Sequence, residues 1–175
     1  MELDELRLDC ARRQKKGLHF ICASVIIWLL ITVIHLTGLD IQQKNILTFC
    51  CAAVLFPLAL LFSKILKIDF KGEGNPLTSL GIIFSVNQVL YILIAMWVMA
   101  AVPDKMLMVY AMIFGAHLMP FSWLYKSKIY MAMSIIIPIA CLLLGLFFPP
   151  NILAGFMVGA EAAFSLVLYL ECKKI

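Results

Sequence analysis

With 175 residues, 64% of them hydrophobic and only 14% charged, and a mean hydropathy of +1.03, the chain is far too apolar for a soluble domain, in which the apolar share is about half. Its length leaves no room for a large soluble domain beside membrane spans, so a single domain covering 1–175 is expected. The net charge of +4 is too small and too scattered to hold nucleic acid; basic loops in such a chain report orientation and contact with anionic lipid.

The first segment, ELDELRLDCARRQKK at residues 2–16, places its acids (Glu2, Asp4, Glu5, Asp9) before its bases (Arg12, Arg13, Lys15, Lys16). That order suits a helix dipole. Leu3, Leu6 and Cys10 share one side at helical spacing, which predicts a short amphipathic helix on the membrane surface or a solvated tail.

Six apolar runs follow, at 18–37, 46–66, 78–102, 106–125, 129–148 and 152–170. Each is about 20 residues, enough at roughly 1.5 Å per residue to cross a core of about 30 Å. The first is longer than a signal-peptide core and has no small-residue cleavage site behind it, so it is expected to stay attached. The longest link, KIDFKGEGNPL at residues 67–77, carries the Gly, Asn and Pro of a loop. Trp28, Trp97 and Trp123 fall toward span ends, where lipid-facing anchors sit, and His19 and His35 fall near opposite membrane faces.

With the N-terminus inside, the cytoplasmic side holds Arg7, Arg12, Arg13, Lys15, Lys16, Lys64, Lys67, Lys71, Lys126, Lys128, Lys173 and Lys174, against Lys44 and Lys105 outside. This bias predicts cytoplasmic N- and C-termini, which an even number of spans also requires. The expected fold class is therefore all-α, a polytopic transmembrane helical bundle. Cys10 and Cys172 lie in charged tails, and Cys22, Cys50, Cys51 and Cys141 in apolar runs; none has C-x-x-C spacing, and free thiols are expected.

Polar groups near mid-depth are the candidates for function. Asn87 and Gln88 in the third span, His117 in the fourth and Glu161 in the sixth each lie roughly 14–17 Å from the start of their span. Ser85, Gln88 and Tyr91 share a helical face beside Asn87. An acid at this depth is costly and needs a partner, so Glu161 is either part of a ligand site, proton-linked through His117, or bonded to another helix. The amide-rich face of the third span is either a wall for a small polar or cationic ligand or cement between helices. Pro57, Pro120 and Pro138 are expected to kink their helices by freeing the carbonyls of Ala53, Ala116 and Ser134.

In the sixth span Gly155, Gly159 and Ala163 recur every four residues, nearly opposite Glu161. Such a stripe either packs on a neighbouring helix, the preferred reading, or supports a homodimer. No catalytic, cofactor or metal signature stands in the chain: H-E-x-x-H, G-x-S-x-G and a Walker loop are all missing, so no catalytic residue, cofactor or metal is expected.

The runs Ser85-Val86-Asn87-Gln88, Ala95-Met96-Trp97-Val98 and Gly115-Ala116-His117-Leu118-Met119-Pro120-Phe121-Ser122-Trp123-Leu124-Tyr125-Lys126-Ser127 resemble those of a family of small six-span bacterial membrane proteins known only as a domain of unknown function. The resemblance covers nearly the whole chain and implies a multi-pass protein of the bacterial cytoplasmic membrane, with no activity to transfer. Two functions are then expected. The first is a small-molecule or ion carrier, or a membrane substrate-binding subunit, with Glu161, His117, Asn87, Gln88, Ser85 and Tyr91 around a midplane site. The alternative is a non-transporting scaffold or partner protein whose polar core is structural.

Overall fold

The computed structural model describes residues 2–69 and 74–174. Among these residues the helices are α1 (Leu3–Arg13), α2 (Leu18–Leu36), α3 (Ile41–Ala53), α4 (Leu55–Ile65), α5 (Pro76–Ala101), α6 (Met106–Ala116), α7 (Met119–Leu124), α8 (Lys128–Phe147) and α9 (Pro150–Cys172). They combine into six candidate spans, Lys15–Leu36, Ile41–Ile65, Pro76–Ala101, Pro103–Leu124, Lys128–Phe147 and Pro150–Cys172. This is an all-α, multi-span membrane protein. The loop expected at 67–77 lies partly outside the described residues, as does Lys71.

Local chemistry sets the helix ends. Asp40 accepts a 3.0 Å hydrogen bond from the Gln43 amide to cap α3, and Asn75 accepts one of 2.9 Å from Leu77 to cap α5, with Pro76 following. Two spans break ahead of a proline. The second parts at Val54, three residues before Pro57, and the fourth at His117 and Leu118, just before Pro120. Proline removes one helical donor and crowds the preceding turn. Pro138 departs from this pattern, because α8 runs through it without interruption.

The spans form an arc in the order α4, α2, α9, α8, α6, α5. Its two ends, α4 and α5, barely touch each other. At the end opposite the termini, α3 reaches across to the fourth span, and Asn45 Nδ2 donates to Pro103 O at 2.9 Å. Close approach of α6 to α8 depends on glycine: a Cβ on Gly115 would lie 2.6 Å from Ile137 and Pro138.

The terminal end is tied more heavily. Lys16, only 6% exposed, pairs with Glu171 at 2.8 Å, which also accepts from Ser127 Oγ at 2.7 Å. A buried ammonium tolerates this position because it is paired. Lys15, Lys16 and Gly17 all take left-handed backbone (φ 43°, 51° and 72°), so α1 turns sharply into α2. That turn folds α1 back over the bundle, so the expected short helix is present and is docked rather than a free tail. Cys10 and Ala11 are buried, and Asn75 Nδ2 donates to Leu6 O (2.8 Å) and to Asp9 Oδ2 (2.9 Å). Arg7 donates from Nε to Trp123 O at 2.9 Å and lies over the Trp123 ring, and Lys126 pairs with Asp4 at 3.2 Å.

Three aromatic expectations also change. Trp28 is no lipid anchor: it is 1% exposed, with Tyr110 and Phe114 each 5.9 Å away between ring centres. His19 and His35 are buried rather than interfacial, His35 lying 3.3 Å from Thr48 Oγ1. All six cysteines are free.

Candidate functional site

Because α4 and α5 do not close the arc, a cavity of about 560 Å³ remains between α2, the second span, α5 and the fourth span. Cavities of roughly 300–1,000 Å³ suit ligands of drug size. The α3 crossing covers it at one end, and Gln14, which follows α1, lines it at the other. Its side is open: Phe56 on α4 and Ile82, Val86 and Val89 on α5 are lining residues that are also more than half exposed. In a bilayer that side faces acyl chains.

The lining is mostly rings and aliphatic groups. Phe20, Tyr110, Phe114, Phe121 and Tyr130 contribute aromatic surface, and Gly17 and Gly81 make room for it. A Cβ on Gly17 would crowd the Tyr130 hydroxyl at 3.1 Å, and one on Gly81 would crowd Leu124 at 3.2 Å. None of the lining residues is Asp, Glu, Lys or Arg.

Polar groups enter at two levels. Toward the termini, Tyr125 donates to Gln14 Oε1 at 2.8 Å, Gln14 Nε2 is 3.5 Å from Thr78 Oγ1, and Tyr130 donates to Lys16 O at 2.8 Å. These groups satisfy one another. Burial holds the Tyr125 phenol well above its ordinary range, so it stays a neutral donor. His19, second residue of α2, also lines the cavity toward the termini, and near mid-depth the lining holds Ser85, Gln88 and His117. Ser85 donates to Gly81 O at 3.1 Å, and His117 Nδ1 hydrogen-bonds Phe114 O, while the Gln88 carboxamide finds no partner among the described residues.

The six residues expected around one midplane site therefore divide into three groups. Ser85, Gln88 and His117 share the cavity. Asn87 and Tyr91 turn away from it to the exposed face of α5, where Asn87 Nδ2 donates to Tyr91 Oη at 2.9 Å. Glu161 is fully buried at the α2–α9 contact: Ser24 Oγ donates to its Oε2 at 2.5 Å, and Oε1 has no hydrogen-bond partner among the described residues. His117 instead packs against the rings of Phe114 and Phe121. The expected Glu161–His117 pair does not form.

The small-residue stripe also departs from the preferred reading. Gly155, Gly159 and Ala163 are exposed, and a Cβ at either glycine would meet nothing within 4 Å. Since Glu161 faces inward, the opposite face must face outward, away from every helix of the chain.

Sequence reasoning missed Ser24, Gln14, Tyr125 and Tyr130. Ser24 lies two turns into the first span and pairs with α9, 137 positions away in the chain. Gln14 sits beyond the first apolar run, and the pairing of Tyr125 with Tyr130 depends on the tight turn between α7 and α8, where Lys126 takes a φ of 48°. Among the described residues, no group of three His, Cys, Asp or Glu converges as a metal site would require.

No curated protein and no solved structure matches the chain. One family does, described as Family of unknown function (DUF7010), and the match runs over residues 3–171. With nearly the whole chain covered and the six-span architecture in place, the protein belongs to the DUF7010 family.

Proposed function

We propose that this protein is a membrane carrier or substrate-binding subunit for a small molecule that enters its cavity sideways from the bilayer, between α4 and α5. The observation that carries this reading is the laterally open cavity of about 560 Å³, roofed at one end and floored at the other. A purely structural bundle would close α4 against α5 and fill that volume with side chains. The base asymmetry of the sequence supports cytoplasmic termini and a bacterial cytoplasmic membrane location, with the loading side facing acyl chains.

The test is direct. Protein purified in mild detergent is extracted with organic solvent, and the extract is compared by mass spectrometry with those of Ala53→Trp and Val89→Trp. These substitutions fill the cavity from opposite walls. A membrane-soluble compound present with wild type and depleted in both variants is the expected result. Identical extracts from all three proteins would sink the reading.

A second reading, the non-transporting scaffold, draws support from the outward face of α9. Gly155, Gly159 and Ala163 would let a second copy approach closely there. Cross-linking between copies through α9, lost in Gly159→Leu, would support it.

A further inference from the structure

We propose that the cavity selects an uncharged amphiphile with a flat or branched apolar body and one hydroxyl, the hydroxyl oxygen accepting from Gln88 and its hydrogen donated to His117. This rests on the lateral-cavity reading above and specifies its ligand. Three observations lead to it. First, the lining holds no charged side chain. An ion brought to this depth would lose its hydration and find no counter-charge, which disfavours both a metal cation and a carboxylate.

Second, the polar groups near mid-depth leave a specific pair open. A carbonyl can only accept, so the bond between His117 and Phe114 O fixes the hydrogen on Nδ1. In the neutral ring, Nε2 is then the nitrogen left for an occupant, as an acceptor. Gln88 supplies the complementary donor, since its carboxamide is unbonded among the described residues. Both stand at about the same depth, twelve residues into α5 from one face and eleven beyond the start of α6 from the other. A hydroxyl is the smallest group that accepts from one and donates to the other. The polar set nearer the termini does not compete, because Tyr125, Gln14 and Thr78 already bond one another.

Third, the remaining wall surface is aromatic. Phe20, Phe114, Phe121 and Tyr130 present rings to the cavity, which favours a flat body stacked or set edge-on against them. A molecule with these properties partitions into the bilayer and reaches the opening without crossing water.

The experiment uses full-length protein in lipid nanodiscs with three probes: naphthol, its methyl ether and naphthoate. Binding is measured against protein-free nanodiscs. The expected result is that naphthol binds about tenfold more tightly than the ether, the discrimination available to a site built to bond a hydroxyl. Naphthoate should bind no better than the ether. His117→Phe should bring naphthol down to the ether's affinity while leaving the ether unchanged, which a merely unfolded variant would not do, and Gln88→Leu should weaken both by a similar factor, because the ether oxygen also accepts from Gln88. Equal affinities for naphthol and ether, an equal loss of both in His117→Phe, or an ether indifferent to Gln88→Leu would overturn the hydroxyl assignment. The cavity reading would survive that outcome if Ala53→Trp still abolished binding of both. If Ala53→Trp changed nothing, or if the cavity proved filled by phospholipid chains alone in wild type and variants alike, both would fall.

Discussion

Ser24 Oγ lies 2.5 Å from Glu161 Oε2 and 2.7 Å from Ile21 O, so a single hydroxyl of the first span joins its own helix to the carboxyl of the last. Removing it strands a carboxyl that is fully buried and already has one oxygen unpaired. Ser24→Ala should therefore destabilise the bundle by about 1–3 kcal/mol, the cost of an orphaned buried polar group. Replacing both partners, Ser24→Ala with Glu161→Leu, should recover most of that loss. Reversible unfolding in mixed micelles would check it, and additive losses in the double variant would contradict it. Glu161→Leu should also leave cavity binding intact, because Glu161 is not among the lining residues.

Two glycines predict opposite outcomes for one substitution. Gly115→Ala puts a methyl 2.6 Å from Ile137 and Pro138, whereas Gly159→Ala meets nothing within 4 Å. The first should cost about 1–3 kcal/mol through overpacking. The second should be neutral or stabilising by up to about 1 kcal/mol through helix propensity. Melting temperatures of the two variants in one detergent settle the comparison, and a Gly115→Ala protein as stable as wild type would argue against the α6–α8 contact.

Docking of α1 should respond to acid. The Asn75 hydrogen bond, and then Arg13, hold the Asp9 carboxyl below its usual range. A carboxyl lowered in the folded state contributes stability that is complete above the unfolded value, about 3.9, and is lost as pH falls through the folded one. Amide exchange in α1, taken relative to the intrinsic exchange rate at each pH, should accordingly be unchanged from about pH 8 to pH 5 and rise below about pH 4. Asn75→Ala should raise it at every pH. Exchange in α1 that varies between neutral and mildly acid solution would point to some other titrating group.

Cys10 reports the same docking chemically. Its thiol is buried and pushed up to about 11, by burial first and by Asp9 second, while Cys50 is exposed. The thiolate is the reactive form. At pH 8 a maleimide should therefore leave Cys10 unmodified in the wild type and label it in Asn75→Ala or Arg7→Ala. Labelling of Cys10 at equal rates in all three would mean that α1 is not held down.

The spans were readable because hydropathy over about 20 residues depends on local composition alone. Each expected boundary falls within a few residues of the observed helix, apart from the second span, whose helix begins earlier, at Ile41. Lateral neighbours were not readable. Depth placed Glu161, His117 and Asn87 at one level, but rotation about each helix axis decides which of them meet, and it is set by packing. The α2–α9 contact turned Glu161 toward Ser24, and α5 turned Asn87 outward while leaving Gln88 on the cavity. Likewise, the repeat of Gly155, Gly159 and Ala163 was visible, whereas the close helix contact runs through Gly115, which shares that spacing with Ala111 alone.

The pairing of α2 with α9 also governs how the protein is made. The ribosome delivers α2 first, yet its buried residues, among them Ser24, Trp28 and Ile31, together with Lys16 just ahead of it, belong to the interior of the finished bundle. Its most extensive neighbour is α9, which emerges more than a hundred residues later. Throughout synthesis the earliest span must wait in the membrane with Ser24 lacking Glu161 and Lys16 lacking Glu171, and a chain that stops before α9 displays both. Arrival of α9 pairs both groups at once.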